Sequence, residues 1–98
     1  MRIINLKVTY PSEVETHLPL VSWELDGIND MLLRSVQVYL YENDKVVFLH
    51  EYRMTERCSS WLDYRLDPSI CYHLKVVVRD LEGNRAVTGL FLKQSEID

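Results

Sequence analysis

Glycine and proline are scarce in this chain, with three of each in 98 residues, and cysteine is scarcer still, at two. The glycines Gly27, Gly83 and Gly89 stand too far apart to form a loop that cradles phosphates. Two cysteines do not make a disulfide framework. Cys58 precedes and Cys71 follows a predicted strand. At about 3.3 Å per residue the two are roughly 20 Å or more apart, beyond disulfide reach. Two free thiols and a reducing, cytoplasmic setting are therefore expected. No apolar run approaches the roughly 20 residues of a membrane span. The first residues, Met1 to Lys7, lack the apolar core and small-residue cleavage site of a signal peptide. Basic residues are also in deficit, eleven against fifteen acidic, for a formal charge of −4. That balance argues against a nucleic-acid backbone as partner.

What the chain does have is alternation. With 47% hydrophobic and 27% charged residues it has the composition of a soluble globular domain, and 98 residues hold one core, not two. Seven strands are predicted, over about 2–10, 19–25, 35–42, 46–54, 60–66, 71–80 and 86–93. In the first, Ile4, Leu6, Val8 and Tyr10 share the apolar face. In the second, Val21, Trp23 and Leu25 point inward, and in the third Val36, Val38 and Leu40 oppose Gln37, Tyr39 and Tyr41. The fourth strand has an open register, because Val47, Leu49 and Tyr52 share a face only across a bulge. The fifth is expected to place Leu62, Tyr64 and Leu66 together, and the sixth to bury Leu74, Val76 and Val78. Glu42-Asn43-Asp44-Lys45 is a turn, and in Leu81-Glu82-Gly83-Asn84 either Gly83 or Asn84 takes positive φ. Met31-Leu32-Leu33 stays ambiguous between loop and core. Seven short strands with frequent turns and no helical period give an all-β, two-sheet antiparallel sandwich of the immunoglobulin-like kind, spanning 1–98 as a single domain.

Trp23, then Leu66-x-Pro68-x-x-x-Tyr72-x-Leu74-x-Val76, then Asp80 with Gly83, resembles a fibronectin type III domain across residues 19–91. The resemblance implies that the indole fills the core and that Tyr72 closes a corner onto the preceding turn. An immunoglobulin domain would carry a cysteine where this chain has Trp23. More narrowly, Ile4-Asn5-Leu6-Lys7-Val8, Pro19-Leu20-Val21-Ser22-Trp23-Glu24-Leu25, the segment Tyr72 to Gly83, and Phe91 are similar to the N-terminal module of bacterial α-L-rhamnosidases. Those are inverting glycoside hydrolases whose catalytic barrel lies further along the chain. The implication is a non-catalytic accessory module that packs on neighbouring domains of a parent hydrolase, with no catalytic residue and no cofactor of its own. A different fibronectin-like interaction module remains an alternative.

Trp23, Leu66, Tyr72, Leu74 and Val76 read as structural core. Tyr39, Tyr41, Phe48, Tyr52 and Trp61 are the other large aromatics around the hairpin and fifth strand. If several share an exposed face they form a contact surface or a platform for sugar rings. Against that stands the ordinary tendency of aromatics to pack across strands. His17, His50 and His73 are scattered without ligand spacing, so no metal is expected. Cys71 and His73 lack a third group to orient a base. Asp26, Asp30, Asp80 and Glu82 sit in loops, whereas a carboxylate pair for glycoside hydrolysis needs two acids flanking one cleft. Turn chemistry and solubility explain Asp26 and Asp30, with calcium binding by these loops a lesser alternative.

Overall fold

The computed structural model describes residues 1–9, 18–28, 32–67 and 69–92. Tyr10, His17, Asp30, Met31, Pro68 and the tail from Lys93 onward, each named above as part of a strand, loop, corner or site, lie outside the described residues. Seven strands are present: β1 (Arg2–Thr9), β2 (Leu20–Asp26), β3 (Leu33–Glu42), β4 (Lys45–Thr55), β5 (Ser59–Trp61), β6 (Tyr72–Asp80) and β7 (Arg85–Leu92). They form a three-stranded sheet in the order β1-β2-β5 and a four-stranded sheet in the order β4-β3-β6-β7, antiparallel throughout. The fourth strand pairs with the third and not with the fifth. That separates the arrangement from a constant-type immunoglobulin sandwich, in which four strands lie on the sheet that carries the first. The domain is a two-sheet antiparallel β-sandwich of the immunoglobulin-like or fibronectin type III-like kind.

The core is where alternation places it. Val21 and Trp23 of β2 face Leu33, Val36, Val38 and Leu40 of β3, and Leu74, Val76 and Val78 of β6, with Leu62 and Leu92 at the sides. The indole is buried, yet its Nε1 has no hydrogen-bond partner among the described residues. Tyr72 is the largest side chain that is completely buried. Its Oη accepts a hydrogen bond from the Asp67 backbone N–H at 2.9 Å, closing the expected corner. Leu66, Ile70 and Tyr64 pack around it on the rim of the core.

Departures from strict alternation have local causes. In β1 the inward residues are Ile3, Leu6 and Val8, not Ile4. Asn5 adopts φ 54° and, with Leu6, opposes Trp23 alone, a bulge that inverts the facing of the residues before it. Asparagine tolerates this left-handed conformation better than a branched residue would. The fifth strand is shorter than its apolar pattern suggests. It pairs with β2 only from Ser59 to Trp61, and then the chain turns, with the Tyr64 N–H donating to the Leu62 carbonyl. Leu62 alone is fully buried, while Tyr64 and Leu66 pack from a non-strand segment. The register of β4 is settled by a bulge at Val47, between the pairs Leu40–Phe48 and Tyr41–Val46. Phe48 and Tyr52 then face inward and Leu49 outward. A further bulge, between Leu33 and Ser35, turns Leu33 into the core and makes it the start of β3.

The turns follow their residues. Asn43 and Asp44 have φ of 52° and 48°, the two-residue loop of a twisted hairpin. Gly83, at φ 91°, supplies the positive angle in the β6–β7 turn. That turn is organised by Asp80, whose carboxylate accepts from the backbone N–H groups of Glu82 and Asn84 and from Asn84 Nδ2 at 2.8–3.0 Å. These bonds, that to the Asn84 side chain first, hold the Asp80 carboxyl below its ordinary pKa. Cys58 and Cys71 are both free thiols. Burial, and then the nearby Glu24 charge, raises the Cys58 pKa.

Candidate functional site: the outer face of the four-stranded sheet

Because β3 and β6 send alternate residues into the core, the intervening side chains lie on the side of the sheet away from it, with Ser35 and Val77 buried among their neighbours there. Register assembles them into four cross-strand rows. From one end these are Arg53–Ser35–Arg79–Arg85, Glu51–Gln37–Val77–Val87, Leu49–Tyr39–Lys75–Gly89 and Val46–Tyr41–His73–Phe91. One end of the face is therefore cationic and the other aromatic.

At the aromatic end the rings are stacked on one another. His73 and Phe91 lie with centroids 4.5 Å apart and planes 19° apart. Tyr41 approaches His73 at 5.8 Å and Tyr39 at 6.1 Å. The Lys75 ammonium stands 5.6 Å from the centre of the Tyr39 ring, within the range of a cation–π contact. Gly89 makes this packing possible, since a Cβ there would fall 2.7 Å from His73 Nε2. The imidazole occupies the space that the glycine leaves on this strand. A cleft of about 510 Å³ opens beside the stack, lined by Tyr41, Asn43, Asp44, Cys71, Tyr72, His73, Lys75 and Phe91. Apolar side chains remain open to solvent along this face: Phe91 is 60% exposed, Leu49 51%, Val87 45% and Val46 44%.

The five aromatics singled out from the sequence do not share a surface. Tyr39 and Tyr41 belong to this outer face. Phe48 and Tyr52 point the other way and pack against the core. Tyr52 stacks on His50 at 4.2 Å, lies under the Arg57 guanidinium at 4.4 Å, and shares a 2.8 Å hydrogen bond with the buried Ser60 hydroxyl. Trp61, 42% exposed, sits on the three-stranded sheet between the inward-facing Ser60 and Leu62. His73 and Phe91 complete the cluster that Tyr39 and Tyr41 begin. Their signal in the sequence was outward position in strands β6 and β7, which becomes informative only once the partners across the sheet are known.

Among the described residues no three His, Cys, Asp or Glu gather as ligands for a metal, and no helix is long and apolar enough to cross a membrane. No family model and no curated protein matches the chain.

Proposed function

We propose that the domain is a non-catalytic recognition module which packs against a neighbouring domain through the aromatic half of this outer face. The observation that carries the reading is the coincidence of three exposed apolar side chains, Val46, Leu49 and Phe91, with the Tyr39–Tyr41–His73 stack on one sheet surface. Scattered apolar residues on a surface need no explanation, but a contiguous group of them marks a contact site. The motif resemblance of Pro19 to Leu25 and Tyr72 to Gly83, alone, suggests a specific setting, an accessory module of a glycoside hydrolase resembling α-L-rhamnosidase. Two experiments address the two levels. Sequencing the gene beyond the codon for Asp98 should show a frame running into a hydrolase domain, and a different continuation removes that setting. Leu49→Asp and Phe91→Asp should leave the isolated chain folded, because both side chains are solvent-exposed, while loosening the domain in the whole translated product by limited proteolysis. Unchanged proteolysis of the whole product would remove the docking surface.

Sugar binding is the second reading, and the cleft beside Tyr41 and Phe91 with Asn43 and Asp44 on its lining favours it. The close stacking of His73 on Phe91 counts against it, since a sugar ring needs an uncovered aromatic face. Titration with rhamnose oligosaccharides, followed by the NMR signals of Tyr41, Asn43 and Phe91, decides it. No change at millimolar sugar excludes this cleft.

A further inference from the structure

The cationic end of the outer face plays no part in that reading. Arg79 lies directly across the β6–β7 ladder from Arg85, and Arg53 reaches the same row from the far side of Ser35. Like charges placed directly opposite one another destabilise a sheet. The bulge that turns Leu33 inward brings Arg34 to the same end, where it lines an open cleft of about 440 Å³ with Ser35, Gln37, Glu51, Arg53 and Arg79. Among the described residues of that lining the one carboxylate is Glu51. It accepts from Arg53 Nε at 2.9 Å and from Gln37 Nε2 at 3.3 Å, while Arg79 Nη1 donates to Gln37 Oε1 at 2.8 Å. Among the described residues Arg34 and Arg85 have no ion pair, so Glu51 pairs with only one of the four arginines gathered at this end. Beneath them Ser35 is only 7% exposed, and its hydroxyl makes no hydrogen bond among the described residues.

We propose that this arginine row is a binding site for a phosphate dianion. Three guanidinium groups without a carboxylate partner among the described residues suit a group of about −1.5 to −2 better than a single carboxylate. Planar guanidinium forks hold phosphate oxygens in pairs, and the Ser35 hydroxyl at the floor supplies a further donor. Binding would also relieve the repulsion between Arg79 and Arg85. The phosphate is either free or carried as an ester on a small molecule, which would extend into the open cleft. The inference stands on the arginine row alone and is independent of what docks at the aromatic end.

The test is a titration of the ¹⁵N-labelled chain at pH 7 and constant ionic strength with inorganic phosphate, glucose 1-phosphate and acetate. Saturable shifts of the Arg53, Arg79 and Arg85 Nε–Hε signals and of the Ser35 amide are expected with both phosphates, with acetate weaker by roughly tenfold or more. Equal affinity for the two phosphates assigns the site to the free ion, and tighter binding of glucose 1-phosphate assigns it to an ester. Arg79→Gln should retain the folded spectrum and lose at least roughly tenfold in phosphate affinity. Phosphate also stabilises proteins in general by exclusion from their surface, so its effect on Tm should exceed that on Arg79→Gln. Shifts that are linear in concentration, equal for acetate, or unchanged in Arg79→Gln overturn the proposal.

Discussion

Trp23 offers the sharpest test of how this core is held. The indole is buried between the sheets with its Nε1–H unpaired among the described residues. Two opposing terms therefore act at one side chain. Truncation in Trp23→Ala should cost about 3–5 kcal/mol, the range for emptying a large aromatic site in a core. Trp23→Phe keeps most of the buried ring. It loses roughly 1–3 kcal/mol for the smaller volume, while removing an unpaired buried donor recovers about 1–3 kcal/mol. The phenylalanine variant should therefore lie within about 2 kcal/mol of the parent. Urea unfolding followed by far-UV circular dichroism measures both. With an m-value of about 1.5 kcal/mol/M, the alanine variant loses about 2–3 M in midpoint and the phenylalanine variant at most about 1.3 M. A midpoint for Trp23→Phe as low as that for Trp23→Ala would refute the reasoning, because it would mean that the indole N–H is satisfied and stabilising.

Other expectations follow from single contacts. Tyr72→Phe removes the acceptor for the Asp67 N–H; it should cost about 0.5–1.5 kcal/mol and release the Asp67 amide to faster hydrogen exchange. Asn5→Gly should be neutral or slightly stabilising and Asn5→Val destabilising by roughly 1–2 kcal/mol, read as urea midpoints, because only a residue at ease with φ 54° keeps the β1 bulge. Gly89→Ala should push the His73 ring off its seat, with a changed ring-current shift at Phe91 as the readout. Asp80 has a folded pKa below its unfolded value, so its contribution is present above the ordinary carboxylate pKa near ~3.9 and lost as pH falls through the folded value. Asp80→Asn should therefore flatten the acid limb of stability against pH below about pH 4.

The sandwich was legible because apolar alternation and the Leu66-to-Tyr72 corner are local signals. Val36, Val38 and Leu40, and likewise Leu74, Val76 and Val78, needed only a period of two to be assigned to the core. The misassigned facing of Ile4 and the overlong fifth strand come from events that alternation cannot register. One is a bulge that depends on Asn5 reaching positive φ. The other is a turn after Trp61 that leaves Tyr64 and Leu66 apolar but unpaired. The outer face was less legible still. Tyr39 and Tyr41 stood out as aromatics, but the rows they form with His73, Phe91 and Leu49 depend on the register of three ladders. The arginines at the other end come from β3, β4, β6 and β7 and have no spacing in common. Only the pairing of Arg79 with Arg85 and of Ser35 with Arg53 brings them together.

Docking through the outer face is tested most directly by hydroxyl-radical footprinting of the isolated chain and of the whole translated product. Tyr39, Tyr41, Leu49 and Phe91 should react readily in the isolated chain and be protected several-fold in the whole product, while Trp61, on the other sheet, keeps its rate. Equal reactivity of the outer-face residues in both, or protection confined to Trp61, would contradict it.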